Sequence, residues 1–161
     1  MKKLRIYLDT SVINFLFADD APEKRDLTVE FFERVVRHAD TVFVSQLVVD
    51  EVGRTRDAAR RASLRGALQD YALPMLRIEP LGEIETLADA YQRMDAIPPN
   101  AEEDALHVAI CTVNQVDVLV SWNFKHLANV NRERRIAAVN ESLGYVYPLR
   151  ITTPLEVMNI E

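Results

Sequence analysis

The chain has 161 residues, of which 48% are hydrophobic and 27% charged, a composition typical of a globular protein that buries its own core. The formal net charge of -6 argues against nonspecific nucleic-acid binding through excess basic charge, and the single cysteine, Cys111, excludes an intramolecular disulfide. No stretch approaches the ~18 apolar residues of a membrane span, and no targeting segment is visible. We therefore expect one domain over 1–161, located in the cytoplasm and without a membrane segment.

Short apolar runs alternate with longer segments of helical periodicity along the chain. β-Branched and apolar runs indicate strands, and apolar residues spaced three or four apart indicate helices. In chain order the pattern predicts a strand within 4–12 that ends at Asp9, a helix over about 22–38, a strand over 41–45, a helix from Gln46 to Gly53, an arginine-rich helix to about 71, an edge strand or extended link over 75–80, helices over about 82–95 and from Asn100, a strand over 117–121, a helix over about 132–142 and a strand over 148–152.

Several residues mark the ends of these helices. Ser45 is a candidate N-cap for the helix that starts at Gln46. Asn100 is followed by Glu103, and this spacing predicts a capping box at the start of the next helix. Gly144 is expected to stop the helix that precedes the last strand.

The alternation of helices and strands predicts an α/β fold with a mostly parallel sheet, in which ligands gather at the carboxyl ends of the strands. Asp9 follows the first strand, Glu51 lies about one helical turn past the second, and Asn123 follows the strand over 117–121. Asp104 lies in the first turn of the helix that leads into that strand. We therefore expect these side chains to converge.

Each acid also has a purely local interpretation. Asp9 can cap the turn that follows its strand, Glu51 can be solvated, and Asp104 can interact with the helix dipole. Taken together, however, acids brought to one point repel each other unless a cation neutralises them. Mg²⁺ or Mn²⁺ with oxygen ligands is the usual solution, whereas no cluster of cysteine and histidine suits zinc.

Five short motifs occur in order and cover nearly the whole chain: 8-LDTSV-12, 48-VVDEV-52, 104-DALHVAIC-111, 118-VLVSWNFKHL-127 and 151-ITTPLEV-157. This set resembles the PIN domain family, as in VapC-type toxins. The resemblance implies a three-layer α/β/α sandwich with a central, mostly parallel sheet, and an acidic pocket that binds Mg²⁺ or Mn²⁺. It also implies hydrolysis of RNA phosphodiester bonds.

Carried over position by position, the resemblance assigns the first three family acids to Asp9, Glu51 and Asp104, as catalytic residues and metal ligands. At the fourth position, where many members carry aspartate, this chain has Asn123. Its carbonyl oxygen can still coordinate a metal, but it contributes no charge. The alternative is that Asn123 caps the turn that follows its strand.

Four further residues are candidates for substrate binding. Thr10 and Ser11 can bond a phosphate or a water in the pocket. Arg54 and Arg56 belong to an arginine-rich stretch, RTRDAARRASLR, that can hold RNA although the whole chain is acidic. The alternative for these arginines is a solvated helix face.

The leading hypothesis is a Mg²⁺- or Mn²⁺-dependent endoribonuclease, the toxin of a type II toxin–antitoxin pair. By family resemblance it would form a homodimer and bind a small antitoxin protein. The rival hypothesis is a PIN-fold module that binds RNA or protein without cutting, with its metal site weakened at Asn123. A phosphatase that uses Asp9 would need a second aspartate where Ser11 stands, and the G-x-S-x-G elbow of serine hydrolases is absent.

The remaining reactive side chains have structural interpretations beside functional ones. We expect Cys111 to be a buried inert thiol, Trp122 to pack in the core rather than stack on a base, and His107 to make a structural hydrogen bond rather than face the site. For Lys125 and His126, substrate contact and helix capping both remain open.

Overall fold

Five strands form one sheet in which every pairing is parallel, in the computed structural model of the protein, which describes residues 3–160. The order across the sheet is β3-β2-β1-β4-β5. The strands are β1 (Ile6–Leu8), β2 (Val42–Ser45), β3 (Met75–Leu76), β4 (Val118–Val120) and β5 (Arg150–Thr152).

Helices flank this sheet, as predicted for a three-layer α/β/α sandwich. They are α1 (Thr10–Phe15), α2 (Pro22–Arg34), α3 (Gln46–Gly53), α4 (Ala58–Asp70), α5 (Leu81–Arg93), α6 (Glu102–Val113), α7 (Val130–Ser142) and α8 (Pro154–Ile160). Helix α5 packs on α6 and α7, while α2 packs on α1 and α8. Within residues 3–160, no helix is long and apolar enough to cross a bilayer.

The central strand β1 is paired along both edges and buried on both faces. Ile6 pairs with Val42 of β2 on one side and with Val118 of β4 on the other. Tyr7 and Leu8, which point to opposite faces, are both 0% exposed. Strands covered on both faces read as continuous apolar runs, which is the pattern of β2 and β4 as well.

Two short helices were not predicted. The first strand ends at Leu8, and residues 10–12 belong to helix α1 because Asp9 caps it through its side chain. Helix α8 begins at Pro154, a residue suited to a first helical position. The helix expected over 22–38 ends at Arg34 and is followed by a 3₁₀ turn over Val36–His38.

The predicted caps had mixed outcomes. The capping box of Asn100 and Glu103 is wrong: the N-cap residue is Ala101, and its helix start receives no side-chain cap bond. Ser45 is the residue before α3, but its hydroxyl pairs with Tyr7 Oη at 2.7 Å instead of capping. Gly144 follows the end of α7 with a φ of 89°, a conformation that glycine adopts without strain, and this prediction is confirmed.

The strand order places a topological switch point between β1 and β4. From β1 the chain builds the sheet first toward β2 and β3, and later returns to add β4 and β5 on the other side. In such sheets the connections after these two strands leave in opposite directions, and ligands bind at the carboxyl ends of the strands at this point. Asp9 and Asn123 follow these two strands.

Candidate functional site

Asp9 is a buried carboxylate at the carboxyl end of the central strand. The residue is 2% exposed, and it accepts hydrogen bonds from Ser11 Oγ at 2.5 Å and from the Val12 backbone N–H at 3.4 Å. Burial raises the pKa of Asp9, and the nearby His107 and Ser11 offset that effect only in part. No lysine or arginine among residues 3–160 forms an ion pair with it, so its charge is poorly compensated.

Asp104 lies in the first turn of α6, and its carboxylate is partly buried. Its Oδ2 accepts a hydrogen bond from Asn123 Nδ2 at 2.9 Å and lies 3.5 Å from His126 Nδ1. Burial raises the pKa of Asp104, against the opposing influence of His107 and His126. Repulsion between the charges of Asp9 and Asp104 adds a smaller contribution to the raised pKa of Asp9.

Glu51 belongs to a buried hydrogen-bonded chain. Its Oε1 lies 2.7 Å from His107 Nε2, His107 Nδ1 lies 2.7 Å from Tyr7 Oη, and Tyr7 pairs with Ser45. Burial alone would raise the pKa of Glu51, but the bond and charge of His107 outweigh it and lower the pKa. Burial would lower the pKa of His107, but Glu51 raises it. Both directions favour an imidazolium–carboxylate pair.

Asn123 has its side-chain orientation fixed by the backbone. Its Oδ1 accepts the His126 backbone N–H at 3.0 Å, so its Nδ2 must be the atom that faces Asp104. The predicted capping of the turn is thus confirmed. The expected metal-ligand role remains a prediction, because the amide donates to Asp104 and its carbonyl oxygen is engaged by the turn.

The predicted substrate residues fall into two groups. Ser11 Oγ donates to Asp9 and accepts the Trp122 backbone N–H at 3.0 Å, so its hydroxyl joins the ends of β1 and β4. Thr10 contributes to the lowered pKa of Glu51. Within residues 3–160 the buried Thr10 Oγ1 has no hydrogen-bond partner.

The two arginines are exposed at the rim. Arg54 Nη2 donates to Glu103 Oε1 at 2.6 Å, while Arg56 extends from the link between α3 and α4. Burial and the nearby Glu51 raise the pKa of Glu103. Glu103 is therefore a site neighbour that sequence reasoning missed, because its spacing from Asn100 suggested a cap instead.

The donor chemistry fits a hard divalent cation in part. Asp9, which is buried, and Asp104, which is partly buried, offer oxygen donors and lack a basic partner strong enough to lower their pKa. Glu51 is already paired with His107. Across residues 3–160, no three histidine, cysteine, aspartate or glutamate side chains are gathered into a metal-binding group. The fit therefore rests on Asp9 and Asp104.

Other structural expectations are confirmed. Trp122 is 6% exposed and donates its Nε1–H to Thr28 Oγ1 at 2.9 Å, so it packs in the core. Cys111 is buried, and burial raises the pKa of its thiol well above the usual value, as expected for an inert group.

The acids lie apart from a cavity of about 340 Å³ elsewhere on the molecule. Ile6, Thr41 and Val118 in its lining lie at or next to the first residues of β1, β2 and β4, so it opens at the amino ends of the strands. Parallel sheets bind ligands at the opposite edge, where Asp9 lies. The acidic site formed by Asp9 and Asp104 is therefore the better candidate.

Comparison with curated proteins finds no match to this chain. The PIN domain family model matches residues 6–133, which span β1 to the start of α7 and contain every predicted site residue. PIN domains are a superfamily of nucleases that bind nucleic acid and generally use divalent metals. The sheet order, the paired acids at its switch point and this match agree, and the chain belongs to the PIN domain family.

Proposed function

We propose that the protein is an endoribonuclease that depends on Mg²⁺ or Mn²⁺ and hydrolyses RNA phosphodiester bonds at Asp9 and Asp104. One observation supports the proposal: the buried Asp9 and the partly buried Asp104 lie at the carboxyl end of the sheet, and neither forms an ion pair with a lysine or arginine within residues 3–160. Uncompensated buried charge costs stability, so its retention at a ligand-binding edge supports a cation-binding role.

In this proposal Asp9 and Asp104 would hold the cation. The cation would act as a Lewis acid on a phosphoryl oxygen and would lower the pKa of water. Ser11 orients Asp9, and Asn123 orients Asp104. Glu51, held by His107, positions the attacking water. Thr10, whose buried hydroxyl helps to lower the pKa of Glu51, supports that carboxylate.

We further propose that the nuclease is the toxin of a type II toxin–antitoxin pair and acts in the cytoplasm. The five motifs that resemble VapC-type toxins support this role, and the same resemblance implies a homodimer and a small antitoxin. Growth arrest on expression of the wild type, but not of Asp104→Asn, is expected. Sedimentation equilibrium of the purified chain tests the dimer, and a monomer at all concentrations would contradict it.

A second function is favoured by specific contacts. The Asn123 amide already satisfies Asp104, and His107 already satisfies Glu51, so both acids are held without a cation. These contacts support a module that binds RNA or protein and has lost cleavage. Measured affinity for divalent metal separates this function from the nuclease.

The deciding experiment is cleavage of a mixed RNA pool with Mg²⁺, Mn²⁺ or EDTA. We expect metal-dependent cleavage by the wild type and its loss, by at least about a hundredfold, in Asp9→Asn and Asp104→Asn. Asp50→Asn is the matched control, because Asp50 is exposed and bonded only to Gln46 on the same helix. RNA binding without cleavage in any metal would favour the second function.

A further inference from the structure

An aromatic cluster with one exposed member adjoins the acidic site. The ring of Trp122 lies 5.9 Å from that of Phe15 and 6.0 Å from that of Phe124. Trp122 is buried, whereas Phe124 is 47% exposed. The exposed ring of Phe124 therefore packs against a buried aromatic ring and leaves part of its surface open to solvent.

The ammonium group of Lys24 makes cation–π contacts with all three rings. Lys24 Nζ lies 5.2 Å from the ring centre of Phe124, 5.4 Å from Phe15 and 5.7 Å from Trp122. No carboxylate in the described part of the chain forms an ion pair with Lys24, although the chain is acidic overall. The cluster thus combines an exposed aromatic face with a cation that no acid neutralises.

Hydrogen bonds tie this cluster to the acidic site. The Trp122 backbone N–H donates to Ser11 Oγ, which in turn donates to Asp9. Asn123, the neighbour of both Trp122 and Phe124, donates to Asp104. A ligand on Phe124 therefore lies beside the acids, and its position relative to them is set by the same loop.

We propose that Phe124 and Lys24 form a subsite for single-stranded RNA, in which one unpaired base stacks on Phe124 and Lys24 binds the adjoining phosphate. The subsite deepens the proposed function, since it would hold the strand beside Asp9 and Asp104. Aromatic rings stack on any unpaired base, whereas bases within a duplex are already stacked. An aromatic side chain and a positive charge are the two elements that sequence-tolerant single-strand sites combine.

The test is binding of a short oligouridine strand that carries one 2-aminopurine, whose fluorescence falls when it stacks on an aromatic ring. Binding is measured with Mg²⁺ and again in EDTA. We expect quenching by the wild type and by Phe124→Tyr, which keeps the aromatic ring. Phe124→Leu, which keeps apolar bulk without the ring, should lose the quenching and weaken Kd roughly 5- to 150-fold.

The phosphate contact is tested by salt dependence. Lys24→Gln should reduce the slope of log K against log salt by about 0.7, the value for one phosphate contact on a single strand. Lys3→Gln is the matched control, since Lys3 is an exposed lysine beside the cavity at the opposite edge of the sheet, and its slope should equal that of the wild type. Thermal unfolding of each variant verifies that it is folded.

The outcomes separate the subsite from the nuclease. Equal Kd and equal quenching for the wild type and Phe124→Leu, or no quenching by the wild type in either condition, would overturn the subsite. Cleavage that is unaltered by Phe124→Leu would support the nuclease and overturn the subsite. Quenching that depends on Phe124 in a protein that never cleaves would support the subsite and overturn the nuclease. A blunt RNA duplex should bind without dependence on Phe124.

Discussion

Asn123 donates its amide N–H to Asp104 Oδ2 at 2.9 Å, across 19 residues of sequence. A second hydrogen bond fixes the orientation of the amide, because the His126 backbone N–H donates to its oxygen. A neutral donor therefore stands where a carboxylate would repel Asp104. This contact relieves part of the charge that burial makes costly at the acidic site.

Replacing the donor by a carboxylate tests that relief. Asn123→Asp removes the hydrogen bond to Asp104 and adds repulsion, so the metal-free protein should lose about 1–3 kcal/mol of unfolding free energy. Mn²⁺ should bind the variant about tenfold or more tightly, because a third acid joins the site. Chemical denaturation in EDTA and calorimetric titration with Mn²⁺ measure the two effects. Unchanged stability and unchanged Mn²⁺ affinity together would show that Asn123 does not tune this site.

The buried pair of Glu51 and His107 should be costly to break. His107→Gln leaves Glu51 half-buried without its cation, so we expect a loss of about 2–4 kcal/mol of unfolding free energy. His38→Gln is the control, since His38 is exposed and should change stability by less than about 0.5 kcal/mol. Urea denaturation of the three proteins gives the comparison.

The pair of Glu51 and His107 should stabilise the fold most strongly within a limited range of pH. The lowered pKa of Glu51 contributes stability above its unfolded value of 4.5, which is lost as the pH falls through the folded pKa. The raised pKa of His107 contributes stability below its unfolded value of 6.5, which is lost as the pH rises through the folded pKa. The stability difference between the wild type and His107→Gln should therefore be largest from about pH 4.5 to 6.5. A difference that is flat from acid to alkaline pH would argue against the charged pair.

The contribution of Asp9 and Asp104 to stability should change with pH in the opposite direction to that of Glu51. Their raised pKa values favour the protonated acids in the folded state, so the wild type should lose stability as the pH rises through those values. In EDTA near neutral pH, Asp9→Asn and Asp104→Asn should raise the melting temperature by a few degrees, and the gain should vanish in acid. Mn²⁺ should stabilise the wild type but not the variants. Lower melting temperatures for both variants in EDTA would contradict the uncompensated charge.

Ser11 should matter through its two hydrogen bonds. Ser11→Ala leaves the Trp122 backbone N–H unpaired and removes a donor from Asp9, at a cost of about 1–3 kcal/mol in unfolding free energy. Cleavage should fall as well, because Asp9 loses the group that orients it. Ser63→Ala, on the exposed face of α4, is the matched control. Stability equal to that of this control would show that water replaces the hydroxyl.

Local chemistry explains what could be read from the linear chain. The apolar runs of β1, β2 and β4 needed no tertiary information, because buried parallel strands require them. Asp9 was predictable as the residue that ends β1, and the order of the five motifs indicated the PIN domain family, which the family match confirms. Helix α1 was missed although Asp9 carries its cap, because a helix of 6 residues is too short to show periodicity.

Partners distant in sequence were decided only by the tertiary structure. Glu103 was expected to complete a cap with Asn100 but pairs with Arg54, 49 residues away. Glu51 pairs with His107 across 56 residues, and this contact sets the pKa direction of both groups. By itself the sequence determined which residue types stand at the strand ends, because hydrophobic periodicity is local. The fold decided which of them meet, because burial and hydrogen-bond geometry depend on the strand order that brings distant loops to one edge.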